Sequence, residues 1–118
     1  MIEIRMETKR LKMTVDGHAT PEEGPEYAEI CAAVSAISQS MVFALTRAKE
    51  GTMLKSLEYR PIRGDFKVHA YAEDGMEGKL AEIFVLYGYG LELLAQSHPQ
   101  SVTMIIDGRR VKEDGSYE

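Results

Sequence analysis

Leu11-Lys12-Met13-Thr14-Val15-Asp16-Gly17-His18-Ala19 runs into a Pro/Glu/Gly stretch and then into Ile30-Cys31-Ala32-Ala33-Val34-Ser35-Ala36, and the change of period between the two decides the fold. In the first, Leu11, Met13 and Val15 alternate with Lys12, Thr14 and Asp16, the pattern of a strand buried on one face. Gly17 ends it and leaves His18 at the strand exit. Residues 19–26, Ala-Thr-Pro-Glu-Glu-Gly-Pro-Glu, form a loop by composition. In the second, Ile30, Ala33/Val34, Ile37, Met41, Ala44/Leu45 and Ala48 recur at helical spacing, and Gly51 ends the helix. Its start is open: Pro25 is a favoured first helical residue, while Cys31 opens the apolar pattern. Cys31, Ser35 and Ser38 share a stripe beside the buried one. Small residues there leave room for a ligand backbone, and equally let the helix pack closely on a sheet.

Working outward, Ile2, Ile4 and Met6 alternate with Glu3, Arg5 and Glu7 in a strand before the first segment, with a turn at Thr8-Lys9-Arg10. Met53, Leu57 and Tyr59 suggest a third strand of imperfect alternation. Arg60 to Gly64 is a connection of hairpin length. Phe66, Val68, Ala70 and Ala72 mark a fourth strand. Asp74 and Glu77 resemble a capping pair ahead of a second helix through Leu80, Ile83/Phe84, Tyr87, Leu91 and Leu94, which Pro99 stops. Gly88 and Gly90 are costly inside a helix and imply a kink or the close approach of another backbone. Ser101 to Asp107 is apolar on both faces, as suits a central strand. The order ββαββαβ predicts an α+β, two-layer sandwich of a five-stranded sheet and two helices. One domain over residues 1–110 is expected, with 111–118 a polar, frayed tail.

The chain has 118 residues, 44% of them apolar, which is enough for one modest core. No segment is read as a membrane span, and the alternating, acidic start is not a signal peptide. A single Cys forms no intramolecular disulfide, so the expectation is a cytoplasmic protein. The net charge of −5 argues against nucleic acid and allows a basic peptide as partner. Three scattered His and one Cys lack metal-ligand spacing, so neither metal nor cofactor is expected.

A strand-end His18 and a helix-start Cys31 have the makings of a thiolate–imidazole pair. A thiol becomes a nucleophile when a neighbouring imidazolium or a helix N-terminus stabilises its thiolate. Backbone N–H groups of Cys31, Ala32 and Ala33 are candidate oxyanion donors if the helix begins at Cys31. The same residues also read as a small buried hydrophobe and a surface imidazole. His69 sits on a strand beside Lys67 and Tyr71, and His98 reads as a helix C-terminal residue.

Gly17-His18-Ala19, the acidic Gly-containing loop and Ile30-Cys31-Ala32-Ala33-Val34-Ser35-Ala36 together resemble the ribosomal-processing cysteine protease family, Prp. Its members carry Gly-His-Ala, a Gly-containing loop and a Cys-Ala-x-x-Ser-Ala helix start. The likeness extends over most of the chain, with Gly90-Leu91, Leu94-Ala95 and Pro99 resembling the family's second helix and last strand. The resemblance implies a catalytic dyad of His18 and Cys31, Ser35 in the substrate site, and a homodimer. Its best-known members, in Firmicutes, remove an N-terminal extension from large-subunit ribosomal protein twenty-seven, cutting after an aromatic residue, and related proteins occur in prophages. A ribosomal or phage structural protein is therefore the implied substrate. Two departures fall in the loop that would cover the peptide: Ala28-Glu29-Ile30-Cys31 stands for the family's Asp-Ile-Val-Cys, and the His-to-Cys interval is one residue longer. Both bear on substrate identity more than on the dyad.

Three functions follow for comparison. A cysteine endopeptidase would use Cys31 and His18 as above, with Glu22, Glu23, Glu26 and Glu29 guiding a basic peptide. A non-catalytic dimeric module would hold a peptide or protein in the same groove. A structural dimer would pack the Gly88/Gly90 helix against its mate. The apolar circumference of that helix predicts dimerisation, and residues 19–28 are expected to be the most mobile internal segment.

Overall fold

Ile2, Ile4 and Met6 point one way along β1 (Ile2–Glu7), as do Met13 and Val15 along β2 (Lys12–Gly17), so this antiparallel hairpin has one apolar face. The computed structural model describes residues 1–118. β4 (Asp65–Ala72) pairs antiparallel with β2 and adds Phe66, Val68 and Ala70 to that face. β5 (Val102–Ile106) runs parallel to β1, a pairing that needs a crossover, and α2 (Glu77–Ser97) lies within it. α1 (Tyr27–Glu50) and α2 pack on each other and on this face of the sheet, whose strand order is β3-β4-β2-β1-β5-β6. The other face carries Arg5, Lys12, Lys67 and His69 and has no covering layer. This is the expected two-layer α+β sandwich.

The sheet has six strands instead of five. The sixth, β6 (Arg109–Arg110), pairs back onto β5 through Asp107-Gly108. Both turn residues have positive φ, +50° and +81°, as a two-residue hairpin turn requires, so Asp-Gly was the available sequence signal. Asp107 also accepts hydrogen bonds from Thr8 N at 2.8 Å and Thr8 Oγ1 at 2.7 Å. The tail is not frayed. Val111 is buried, its N–H bonds Met104 O at 2.9 Å, and Arg110 and Glu118 exchange backbone bonds. Tyr117 donates to Glu92 of α2 at 2.7 Å. One apolar residue and a local hairpin dock a segment that composition marked as polar.

Other expectations are corrected by packing. Asp74 does not cap α2, whose N-cap is Met76; it faces solvent and pairs at 3.9 Å with Lys55. Gly88 and Gly90 admit side chains of the same chain, not a second backbone. A Cβ at Gly88 would meet Met6 Sδ at 3.2 Å, and one at Gly90 would meet Ile37 Cδ1 at 3.1 Å. α1 is long and apolar enough in composition to cross a membrane, contrary to the sequence reading; here Ile30, Val34, Met41 and Leu45 face the core. β3 (Leu54–Ile62) is an edge strand with only Leu54 buried, and its charges and Pro61 suit an edge.

Candidate active site

The strand exit, the helix start and the β3–β4 turn converge at one corner of the sheet. Gly17 ends β2 with φ +91°, and its N–H bonds Gly64 O at 2.9 Å. That bond holds the Arg63-Gly64 turn over His18. A Cβ at Gly64 would overlap His18 Nε2 and lie 2.6 Å from Cε1, so the imidazole rests on a bare glycine. Gly64 itself has φ +82°. Sequence reading treated this segment only as a hairpin connection; its signal was a glycine at the second position of a two-residue turn.

Helix α1 begins at Tyr27, between the two starts left open by the sequence. Cys31 is therefore in the second turn, where the helical ladder already engages the N–H groups of Cys31, Ala32 and Ala33; the ladder begins with Ile30 N to Glu26 O at 3.0 Å. The sequence expectation that these three N–H groups are free as oxyanion donors does not hold in this geometry. Cys31 is free of disulfide and 9% exposed. Its Sγ accepts from Ala19 N at 3.3 Å and lies 3.8 Å from Ala19 O. The thiol thus bonds the residue after His18 and not the imidazole itself.

His18, Cys31 and Ser35 line one cleft of about 460 Å³ with Gly17, Arg63 and Gly64. Ala32, Val34, Ser38 and Gln39 complete its α1 wall, while Ile2, Val15 and Phe66 supply apolar surface. His18 and Ser35 are exposed at the mouth; Cys31 sits deeper. Arg63, Gln39 and Gly64 are cleft residues that sequence reasoning did not single out. His69 lies on the open sheet face in a cluster with Tyr71 and Glu58, and His98 caps the C-terminus of α2. Neither lines the cleft.

The loop between His18 and Cys31 is tied down more than its composition implies. Pro21–Glu23 forms a short 3₁₀ turn, Ala19 is buried, and Thr20 N bonds Glu23 Oε1 at 3.1 Å. The Met1 ammonium bonds His18 O at 2.6 Å and pairs with Glu23, holding that carboxyl below the usual carboxylate range. Glu26 faces His98 Nδ1 at 3.7 Å. None of Glu22, Glu23, Glu26 and Glu29 lines the cleft.

The fold and the site define a class: a two-layer α+β domain with a thiol and an imidazole on the walls of one cleft. The chain belongs to the cysteine protease Prp family, whose family model matches residues 1–103. Its fold is similar to that of an essential ribosomal processing protease Prp from S. aureus, solved in complex with a covalently linked product peptide. That match has a TM-score of 0.65 and 17% identity, and covers 90% of this chain and 99% of the other. It is also similar to a protein from Streptococcus mutans, with a TM-score of 0.61, 23% identity, and 89% and 90% of the two chains covered. Among curated proteins no sequence matches the chain.

Proposed function

We propose that the protein is a cysteine endopeptidase that works through His18 and Cys31. The observation that carries this reading is the Cys31 thiol in the wall of an open cleft, with the His18-Ala19 backbone bonded against it. His18 accepts the thiol proton, and Sγ attacks the scissile carbonyl to form a tetrahedral intermediate. Collapse to the thioester expels the amine, which takes its proton from His18, and water then releases the acid. Catalytic hydrogen bonds often tighten only when substrate is bound, which accommodates the present Sγ to Ala19 contact. Ala19 N–H, 3.3 Å from Sγ, takes the oxyanion role that sequence alone assigned to Cys31, Ala32 and Ala33. Ser35, one turn after Cys31 and exposed in the cleft, positions the peptide.

The substrate under this reading is a ribosomal or phage structural protein with an N-terminal extension, processed in the cytoplasm by a homodimer. Family membership and the peptide-bound S. aureus structure support a peptide or protein substrate in ribosomal-protein processing. The test is to incubate wild type and Cys31→Ala with ribosomal and phage proteins and read new N-termini by mass spectrometry. Wild type alone should create a shortened protein; identical N-termini from both would refute the reading. One observation favours a second reading, a peptide-binding module: Sγ bonds Ala19 and not His18. Iodoacetamide separates the two, because His18→Ala slows alkylation of Cys31 only if the imidazole takes the thiol proton.

A further inference from the structure

Away from Cys31, three polar side chains of the cleft, Arg63, Ser38 and Gln39, carry donors with no acceptor in the chain. Of the cleft residues, Arg63 alone carries a permanent charge. It stands at the tip of the β3–β4 hairpin, and no carboxylate of the chain pairs with it. The neighbouring cations are occupied: Arg60 pairs with Asp65 at 3.3 Å and Lys67 with Glu58 at 3.4 Å. On the α1 wall, Ser38 is 2% exposed and its hydroxyl has no hydrogen-bond partner. A buried hydroxyl without a partner in the chain is rare in a folded protein, and this one is within the wall of the cleft, where an entering acceptor would satisfy it. Gln39 has its Oε1 taken by Tyr59 OH at 2.9 Å, so what it still offers is its N–H₂.

A guanidinium, an amide N–H₂ and a hydroxyl on the walls of one cleft suit a group that only accepts, and a carboxylate does so with the strongest geometry. We infer that the cleft selects peptides bearing a carboxylate, held by Arg63 with help from Ser38 and Gln39. This rests on the peptidase reading for its consequence, substrate choice, but not for the binding itself. It reverses the expectation from loop composition that the partner is basic, since the four Glu of the loop lie outside the cleft. The carboxylate is either an Asp or Glu side chain within the peptide or the peptide's terminal carboxylate.

The test uses a random peptide library with free C-termini and an amidated twin, cleaved by wild type, Arg63→Ala and Arg63→Glu. Wild-type cleavage sites should be enriched in Asp or Glu at one fixed distance from the scissile bond. Changing that residue to Asn or Gln should lower kcat/KM by about tenfold or more, mainly through KM, as loss of a charge-assisted hydrogen bond does. Arg63→Glu should transfer the preference to Lys. If amidation alone abolishes cleavage, the terminal carboxylate is the group held. Cleavage that shows neither acidic enrichment nor dependence on a free C-terminus, or that is unchanged by Arg63→Glu, overturns the inference and leaves the peptidase reading intact. If wild type cleaves nothing, calorimetry of Cys31→Ala with Glu- and Gln-containing library peptides decides: an Arg63-dependent preference for Glu sustains the carboxylate site and sinks the peptidase, while equal binding sinks the site as well.

Discussion

At Gly64 two demands meet on one residue. Its φ of +82° disfavours any side chain, and its missing Cβ is the space the His18 ring occupies. Gly64→Ala should cost about 1–2 kcal/mol of stability for the left-handed backbone and also push the imidazole off its seat. A displacement of this kind costs about 10²-fold in rate. Gly64→Asn separates the effects, because Asn tolerates positive φ yet keeps the Cβ: stability should recover while kcat/KM stays low. Full activity in Gly64→Asn would show that His18 does not depend on this seat. At the proposed dyad, Cys31→Ala should abolish turnover but keep peptide binding, since it removes the proposed nucleophile and leaves the cleft open. His18→Ala should slow both turnover and alkylation at neutral pH. The double variant should be no worse than either single one, as members of a catalytic unit do not add. Kinetics of the three variants with one peptide check this.

Among the elements, α2 and the C-terminal hairpin show how packing overrules composition. Gly88 and Gly90 give up helix propensity so that Met6 and Ile37 can approach the helix backbone. Both contacts are long-range and invisible to local pattern. The hairpin from β5 to the C-terminus is held by Val111, which is 5% exposed. Val111→Ala should cost about 1–3 kcal/mol, the range for losing two buried methyl groups. Urea unfolding followed by circular dichroism measures it, and an unchanged midpoint would return residues 111–118 to the status of a free tail.

For the whole molecule, the outer side of α2 presents Leu86, Tyr89 and Leu93, 64%, 57% and 62% exposed, at helical spacing. Such a stripe predicts self-association, through these residues and not through the two glycines. Light scattering at micromolar concentration should give a dimer that Leu93→Glu dissociates; a 13.2 kDa particle for wild type would reject it. The open sheet face sets a pH dependence. Burial pushes His69 below its ordinary value, against the pull of Glu58 and with Lys12, Arg10 and Lys67 nearby. The unfolded chain then binds the proton more readily than the fold, so stability declines as pH falls below about 6.5. His69→Gln should flatten the fall in Tm between about pH 7 and pH 5. The Glu23 pair acts in a separate window, because a lowered carboxylate keeps its contribution above the ordinary carboxylate value and loses it as pH falls through the folded one.

Alternation at Ile2 to Met6 and Leu11 to Val15, helical spacing from Ile30 to Ala48, and the breaks at Gly51 and Pro99 determined the α+β class and the placement of both helices by themselves. These are local properties: period selects which face is buried, and Gly or Pro ends an element where the backbone cannot continue it. Local pattern placed His18 at a strand exit and Cys31 and Ser35 on a helix stripe, but spacing alone read equally as a buried hydrophobe and a surface imidazole, and only the family resemblance joined them as a site. The tertiary structure alone decided what surrounds them. Arg63, Gly64, Ser38 and Gln39 enter the cleft because β4 pairs with β2 and carries its hairpin across the N-terminal half of α1, a contact between residues far apart in the chain. Whether the N–H groups of Cys31 to Ala33 are free turned on where α1 begins. Whether the thiol meets His18 or Ala19 turned on how the loop folds back onto Met1, and neither is encoded in the spacing of the residues concerned.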